Sequence, residues 1–215
     1  MELLDKLTIY MALGTVIGAR LGHCLFYEPG YYLKNPLEIL KIWQGGLASH
    51  GAAVGILLAL WLFIRKYKKP FMWILDRIVV VVALAGSLIR LGNLMNSEIY
   101  GIETGLPWGF IFIRNLETVP KHPTQIYESL TYFLIFLLLI WLYYKNDGKP
   151  KPGLLFSLFL ILVFGMRFMI EFIKENQVDF ESGMILNMGQ WLSIPFVMAG
   201  IAILLFYNRK KASVT

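Results

Sequence analysis

Two stretches of this chain, residues 132–144 and 154–164, contain no charged side chain. In water such runs would have to be buried on every face. In a bilayer they need only be long enough, and about 20 mostly apolar residues make a helix that crosses the hydrocarbon core. Windows of that kind recur along the sequence. Hydrophobic residues make up 57% and charged residues 16%, and the mean hydropathy is +0.61; a soluble domain has about a quarter of its residues charged. The chain is therefore expected to be all-α, a polytopic transmembrane helical bundle of about six spans. The expected spans are 3–27, 46–64, 71–89, 126–144, 153–173 and 188–207. The whole chain, 1–215, reads as one integral membrane domain. NPLEILKIWQ, between the first two spans, starts a helix at Pro36 and spaces Leu37, Ile39, Leu40 and Trp43 for a short interfacial helix. The longest non-spanning piece, a head segment over residues 92–125, is rich in Gly, Pro, Asn and aromatics.

The basic residues set an orientation. Dense clusters stand at 65–69, at Lys145, Lys149 and Lys151, and at 209–211, whereas the other connectors mix signs, as in Lys174, Glu175, Asp179 and Glu181. Alternating spans put the dense clusters on one side, which the positive-inside rule makes cytoplasmic. Both termini are then inside and the head segment faces outward. The formal net charge of +6 is spread over these connectors, so it does not make a nucleic-acid face. The single cysteine, Cys24, excludes an internal disulfide and reads as a buried, inert thiol. No cleavable signal peptide is expected, because residues 1–6 carry two acids and one base.

With this topology the polar intramembrane residues fall at one depth. Arg20, Arg90, Arg167 and Glu171 stand at outward ends of spans, and His50, Glu128, Asn187 and Gln190 at outward starts, within about 10 Å of the interface at 1.5 Å per residue. Asp76 and Arg77, at the cytoplasmic end, are the main exception. An ionisable group at a helix centre costs roughly 2.5–3.5 kcal/mol, so such a set persists when its members share a cavity or when each snorkels to the headgroups.

Arginine at headgroup depth points to a phosphate ligand, because its planar fork bonds two phosphate oxygens and keeps its charge. Arg20, Arg90 and Arg167 are candidates to bind a headgroup or stabilise a phosphate leaving group. Arg167 has a second reading, an ion pair with Glu171 four residues on. His50, in GGLASHGAAVG, is a candidate base able to activate a thiol near neutral pH, or else a structural histidine. The histidines lack metal-ligand spacing, so no metal site is expected.

Taken together, these segments resemble the bacterial prolipoprotein diacylglyceryl transferase family. GARLGHCLFY (18–27), GGLASHGAAVG (45–55), RLGNLMNSEIYG (90–101), HPTQIYES (122–129), RFMIEF (167–172) and MGQWLSIP (188–195) match in order; the third resembles the signature usually written GRxGNFxNxExxG. The resemblance implies transfer of the diacylglyceryl group of phosphatidylglycerol to the lipobox cysteine thiol of a prolipoprotein signal peptide, with glycerol 1-phosphate leaving. It implies no metal or organic cofactor. His50, Arg90 and Arg167 become catalytic candidates. Arg20, Asn93, Asn96, Glu98, Gly101, Glu128, Glu171 and Gln190 become candidates for substrate binding and support of the cavity. The sequence departs from the pattern at Ile89, where Gly is usual, and at Leu94, where Phe is usual. A further span usually precedes the first one found here, so a first span is expected to be missing. The competing readings are an inactive or truncated lipid-binding relative and an anion transporter.

Overall fold

A computed structural model describes residues 2–176 and 183–212 of the chain; Asp179 and Glu181 lie outside the described residues. The described residues are all-helical, with six long helices, two short 3-10 turns before the second of them, and no strand. Among the described residues, five helices are long and apolar enough to cross a membrane, at Leu3–Phe26, Phe71–Met95, Thr124–Lys145, Leu154–Ile173 and Met188–Phe206. The remaining expected span, 46–64, falls on the helix Ser49–Tyr67, which is not among those five. The chain divides into two compact units, Met1–Phe71 and Met72–Thr215.

The first unit pairs α1 (Glu2–Phe26) with α3 (Ser49–Tyr67). Gly14, Gly18 and Gly22 recur every four residues on one face of α1, and Gly51 and Gly55 do so on α3. A Cβ on Gly22 would lie 2.6 Å from the Cα of Gly51, and one on Gly18 would lie 2.7 Å from the Cα of Gly55. The backbones therefore touch, which is how helices associate where burial from water supplies no drive. Gly18→Val should cost about 1–3 kcal/mol through overpacking, read as a lower midpoint of thermal unfolding in detergent. Between the two helices lie α2 (Pro29–Lys34) and the 3-10 turns Pro36–Leu40 and Ile42–Gln44. These turns replace the expected interfacial helix, because the backbone breaks at Lys41 (φ −82°, ψ 66°). Leu37, Leu40 and Trp43 nevertheless remain exposed, as an interfacial segment requires.

The second unit contains α4 (Phe71–Met95), α5 (Thr124–Lys145), α6 (Leu154–Ile170) and α7 (Met188–Ala212). Its core joins Val79, Val80 and Ala83 to Tyr132, Ile135 and Leu139 and to Leu155 and Val163. On α4, Gly86 makes room for the Tyr132 ring, and Ser129 Oγ donates to the Ser87 carbonyl at 3.0 Å. The Asp76–Arg77 exception has a structural explanation. The Asp76 carboxylate accepts the amides of Gly153 (2.7 Å) and Phe156 (2.9 Å), capping α6 from a neighbouring helix. Arg77 lies over the Trp73 ring at 3.7 Å and donates to the Gly148 carbonyl at 2.8 Å.

At the opposite end of these helices sits the head segment. It is shorter than expected, 96–123 rather than 92–125, because α4 continues through Gly92, whose carbonyl accepts the Asn96 amide at 3.0 Å, and α5 starts at Thr124. Isolated bridges pair Gly101 with Lys174 and Lys121 with both Glu103 and Phe110. Lys121 Nζ reaches Glu175 at 2.5 Å and Glu117 at 3.5 Å. The hydrogen bond that Lys121 donates to Glu175 holds its ammonium above the ordinary lysine range. For a raised lysine the stabilisation is complete below the unfolded value and is lost as pH rises through the folded one. This tie is therefore intact at neutral pH.

Candidate active site

The site is built around Glu128, on the second turn of α5 and fully buried (0% exposed). A carboxylate there must be compensated. Arg90 Nε from α4 lies 3.0 Å from Glu128 Oε2, and Lys174 Nζ, just past α6, lies 3.1 Å from Oε1. Lys174 Nζ also lies 3.3 Å from Glu171 Oε2. Three segments distant in sequence thus meet through one chain of charges. Tyr132, one turn beyond Glu128 on α5, is buried, and its ring packs against Gly86 of α4.

The signature loop continues this network. Arg90 donates to Asn93 Oδ1 at 3.2 Å, and Asn93 Nδ2 donates to Glu98 Oε2 at 3.0 Å. The loop is strained: Ser97 and Ile99 have φ of 58° and 57°, a region costly for a β-branched residue. HPTQIYES supplies what holds it. Thr124 Oγ1 donates to the Ile99 carbonyl at 2.9 Å, and Gln125 Nε2 donates to the Glu98 carbonyl at 2.6 Å. Asn96 is exposed, and its side chain makes no hydrogen bond among the described residues. Gly101 is needed for close approach: a Cβ there would lie 2.7 Å from His122 Cβ and 2.8 Å from Thr124 Cγ2, and nearer still to the Ile173 carbonyl.

Gln190 and Asn187 cap α7 reciprocally. The Gln190 amide donates to Asn187 Oδ1 at 2.9 Å and the Asn187 amide to Gln190 Oε1 at 3.0 Å. Asn187 Nδ2 also donates to the Glu171 carbonyl at 3.3 Å, which ties the start of α7 to the end of α6.

Not every group in the site is satisfied. Among the described residues, Arg167 Nε, Glu128 Oε2 and Gln125 Oε1 are buried without a hydrogen-bond partner. Arg90 Nε is close enough to Oε2 to form an ion pair but is not aligned to donate to it. The pairing of Arg167 with Glu171 is not formed; Glu171 goes to Lys174 instead. A buried guanidinium edge without a partner is costly, and an anion would satisfy it.

Arg20 and His50 belong to the first unit. Arg20 is buried, and its guanidinium is spent on backbone carbonyls: Nε to Ile39 (2.9 Å), one terminal nitrogen to Glu38 (2.6 Å), and the other to Gly45 (2.7 Å) and Gly46 (3.2 Å). The segment before α3 has few internal hydrogen bonds, and Arg20 meets that need. His50 stands on the first turn of α3, and its side chain lies outside the described residues.

The description "Prolipoprotein diacylglyceryl transferase" matches residues 1–206. The chain belongs to the prolipoprotein diacylglyceryl transferase family. A phosphatidylglycerol–prolipoprotein diacylglyceryl transferase of Tolumonas auensis is 52% identical over 212 residues, 98% of this chain and 81% of the relative. One from Chloroherpeton thalassium is 50% identical over 210 residues, 97% of this chain and 78% of the relative. One from Porphyromonas gingivalis is 51% identical over 211 residues, 92% of this chain and 75% of the relative. With five membrane-length helices, this member of the diacylglyceryl transferase family is a multi-pass membrane protein.

Three site residues of this family member escaped the sequence reading: Lys174, Tyr132 and Gln125. Gln125 and Tyr132 stand three residues before and four after Glu128, so helical spacing alone placed them on its face. Lys174 offered only a weak signal, three residues after Glu171 in a connector of mixed charge. The departure at Ile89 is harmless on α4, since its side chain is largely exposed.

Proposed function

We propose that the chain transfers the diacylglyceryl group of phosphatidylglycerol to the lipobox cysteine of a prolipoprotein signal peptide, with residues 1–215 acting as one membrane domain. The thiol gives up its proton and its sulfur attacks the C3 carbon of the diacylglyceryl group. The carbon–oxygen bond to phosphate breaks, the electron pair leaves with that oxygen, and glycerol 1-phosphate departs. One thioether forms, one phosphate ester bond is lost, and the thiol proton goes to a base. No metal or organic cofactor and no nucleic acid takes part.

The observation that carries this reading is the unpartnered, buried Nε of Arg167, one helical turn before Glu171, together with the ion-pair network of Arg90, Glu128, Lys174 and Glu171. The carboxylates there are engaged, so the positive charge left over is available to a phosphate. Arg90 and Arg167 bind the phosphate and stabilise the charge that develops as the bond breaks. Asn93, Glu98 and Gly101 fix the loop beside Arg90. Glu128, Glu171 and Gln190 support the cavity wall, Asn96 faces the peptide, and Arg20 holds the segment leading into His50. His50 is the base for the thiol. General-base catalysis is worth about 10²–10⁴ in rate, so His50→Ala should lose about that much transfer at neutral pH and recover part of it as rising pH ionises the thiol. The basic connectors favour a cytoplasmic membrane with both termini inside and the head outside.

The test is lipidation of a lipobox peptide in phosphatidylglycerol vesicles, read as a mass increase of one diacylglyceryl group. A peptide with serine in place of the cysteine should gain nothing. Anion flux through proteoliposomes without any lipidation would replace this reading with a transporter.

A further inference from the structure

Glu171 follows Arg167 by four residues, the spacing at which a carboxylate and a guanidinium pair on a helix. Two features of the structure prevent that pair, although Glu171 keeps helical dihedrals (φ −60°, ψ −23°) and donates its amide to the Arg167 carbonyl. Gly189 on α7 leaves a seat for the carboxyl group, since a Cβ there would lie 2.5 Å from Glu171 Oε1. Lys174 then holds the carboxylate, with Nζ 3.3 Å from Glu171 Oε2 and 3.1 Å from Glu128 Oε1.

Lys174 is only 4% exposed, and its ammonium is committed to two carboxylates. Its backbone is fixed as well: it bridges to Gly101, the Ile102 amide donates to Ile173 at 3.0 Å, and the Glu175 amide donates to Tyr100 at 3.3 Å. A lysine so enclosed has little left to offer a substrate. It does govern how charge is shared around it. Arg90 and Lys174 pair with Glu128 and Glu171, and Arg167, one helical turn before Glu171, adds a third cation to the two carboxylates. With Lys174 bound to both carboxylates, the surplus positive charge stands on the arginines.

We propose that Lys174 is a positioning residue that keeps Arg167 available to the substrate phosphate by holding Glu171 away from it. This rests on the transferase reading above. Without the lysine, Glu171 is a buried carboxylate in need of a cation, and Arg167 stands one turn before it. Glu128 then depends on Arg90 alone. Both guanidiniums turn inward, and the phosphate loses its ligands.

The experiment compares wild type, Lys174→Met, Lys174→Arg and the double variant Lys174→Met/Glu171→Gln. Two quantities are measured: the KM for phosphatidylglycerol and, independently of turnover, the Kd for phosphatidylglycerol in nanodiscs. A charge-assisted hydrogen bond lost to the phosphate weakens binding about ten- to a hundredfold, so Lys174→Met should raise both quantities by that much, with a smaller change in kcat. Lys174→Arg should stay near wild type. The double variant should recover most of the binding, because the competing carboxylate is gone. A purely structural lysine predicts no rescue, so a double variant that binds no better than Lys174→Met overturns the proposal. A wild type that binds phosphatidylglycerol but lipidates no peptide refutes the transferase reading, and the binding comparison still decides the role of Lys174.

Discussion

Arg167→Ala should reduce lipid transfer by about two to three orders of magnitude, the usual effect of removing one donor from developing negative charge. Arg167 sits near the end of α6 with its Nε enclosed and without a partner among the described residues. Its charge is used neither by Glu171, which goes to Lys174, nor by Glu128, which goes to Arg90 and Lys174. The guanidinium is thus left with an unsatisfied donor, which an anion would take up. Arg167→Lys should recover only part of the loss, because an ammonium keeps the charge but not the two-pronged geometry. The assay is kcat/KM for a lipobox peptide in phosphatidylglycerol vesicles, with thermal unfolding in detergent as the control. Arg167→Ala removes no internal ion pair among the described residues, so its unfolding midpoint should stay close to wild type.

Gly101→Ala should nearly abolish activity by a different route. The added methyl would meet His122 Cβ at 2.7 Å and Thr124 Cγ2 at 2.8 Å, with the Ile173 carbonyl closer still. None of these is the free end of a flexible side chain, so the backbone has to move. Gly101 donates its amide to His122 at 2.8 Å and bridges to Lys174. Displacing it moves the signature loop on one side and the Lys174 ammonium on the other. Overpacking of this kind costs about 1–3 kcal/mol. Gly101→Ala should therefore lower the unfolding midpoint as well as activity, and this combined loss separates it from Arg167→Ala.

Much of the fold was legible because a membrane makes helices conspicuous. Apolar runs locate the five membrane-length helices to within a few residues, except at the end of α4, and two residues read at one depth, Arg90 and Glu128, meet at 3.0 Å. Boundaries set by hydrogen bonds were harder to read. α4 runs to Met95 because a glycine and an asparagine continue its ladder, although neither looks helical in sequence. The 36–44 segment has the spacing of a helix but forms 3-10 turns broken at Lys41, with the Glu38 and Ile39 carbonyls taken up by Arg20. Partner choice among charges was the least legible feature. Sequence spacing offers Arg167 and Glu171 to each other, but the choice is made by the seat at Gly189 and by Lys174, whose place is fixed by a bridge to Gly101 on a distant loop. Likewise the pairing of Arg90 with Glu128 joins two helices across the whole head segment, and no periodicity encodes it.

In the proposed reaction the phosphate held by the arginines is the leaving group of a transfer to sulfur. Phosphorus NMR of phosphatidylglycerol nanodiscs containing the wild-type protein tests it most directly, with lipidated peptide counted in the same sample. The expected result is loss of the phosphodiester signal and growth of a glycerol phosphate monoester, one for each thioether formed, with neither change in Arg167→Ala on the same timescale. Thioether formation without phosphate monoester, or monoester release that proceeds unchanged without a peptide thiol, would contradict it.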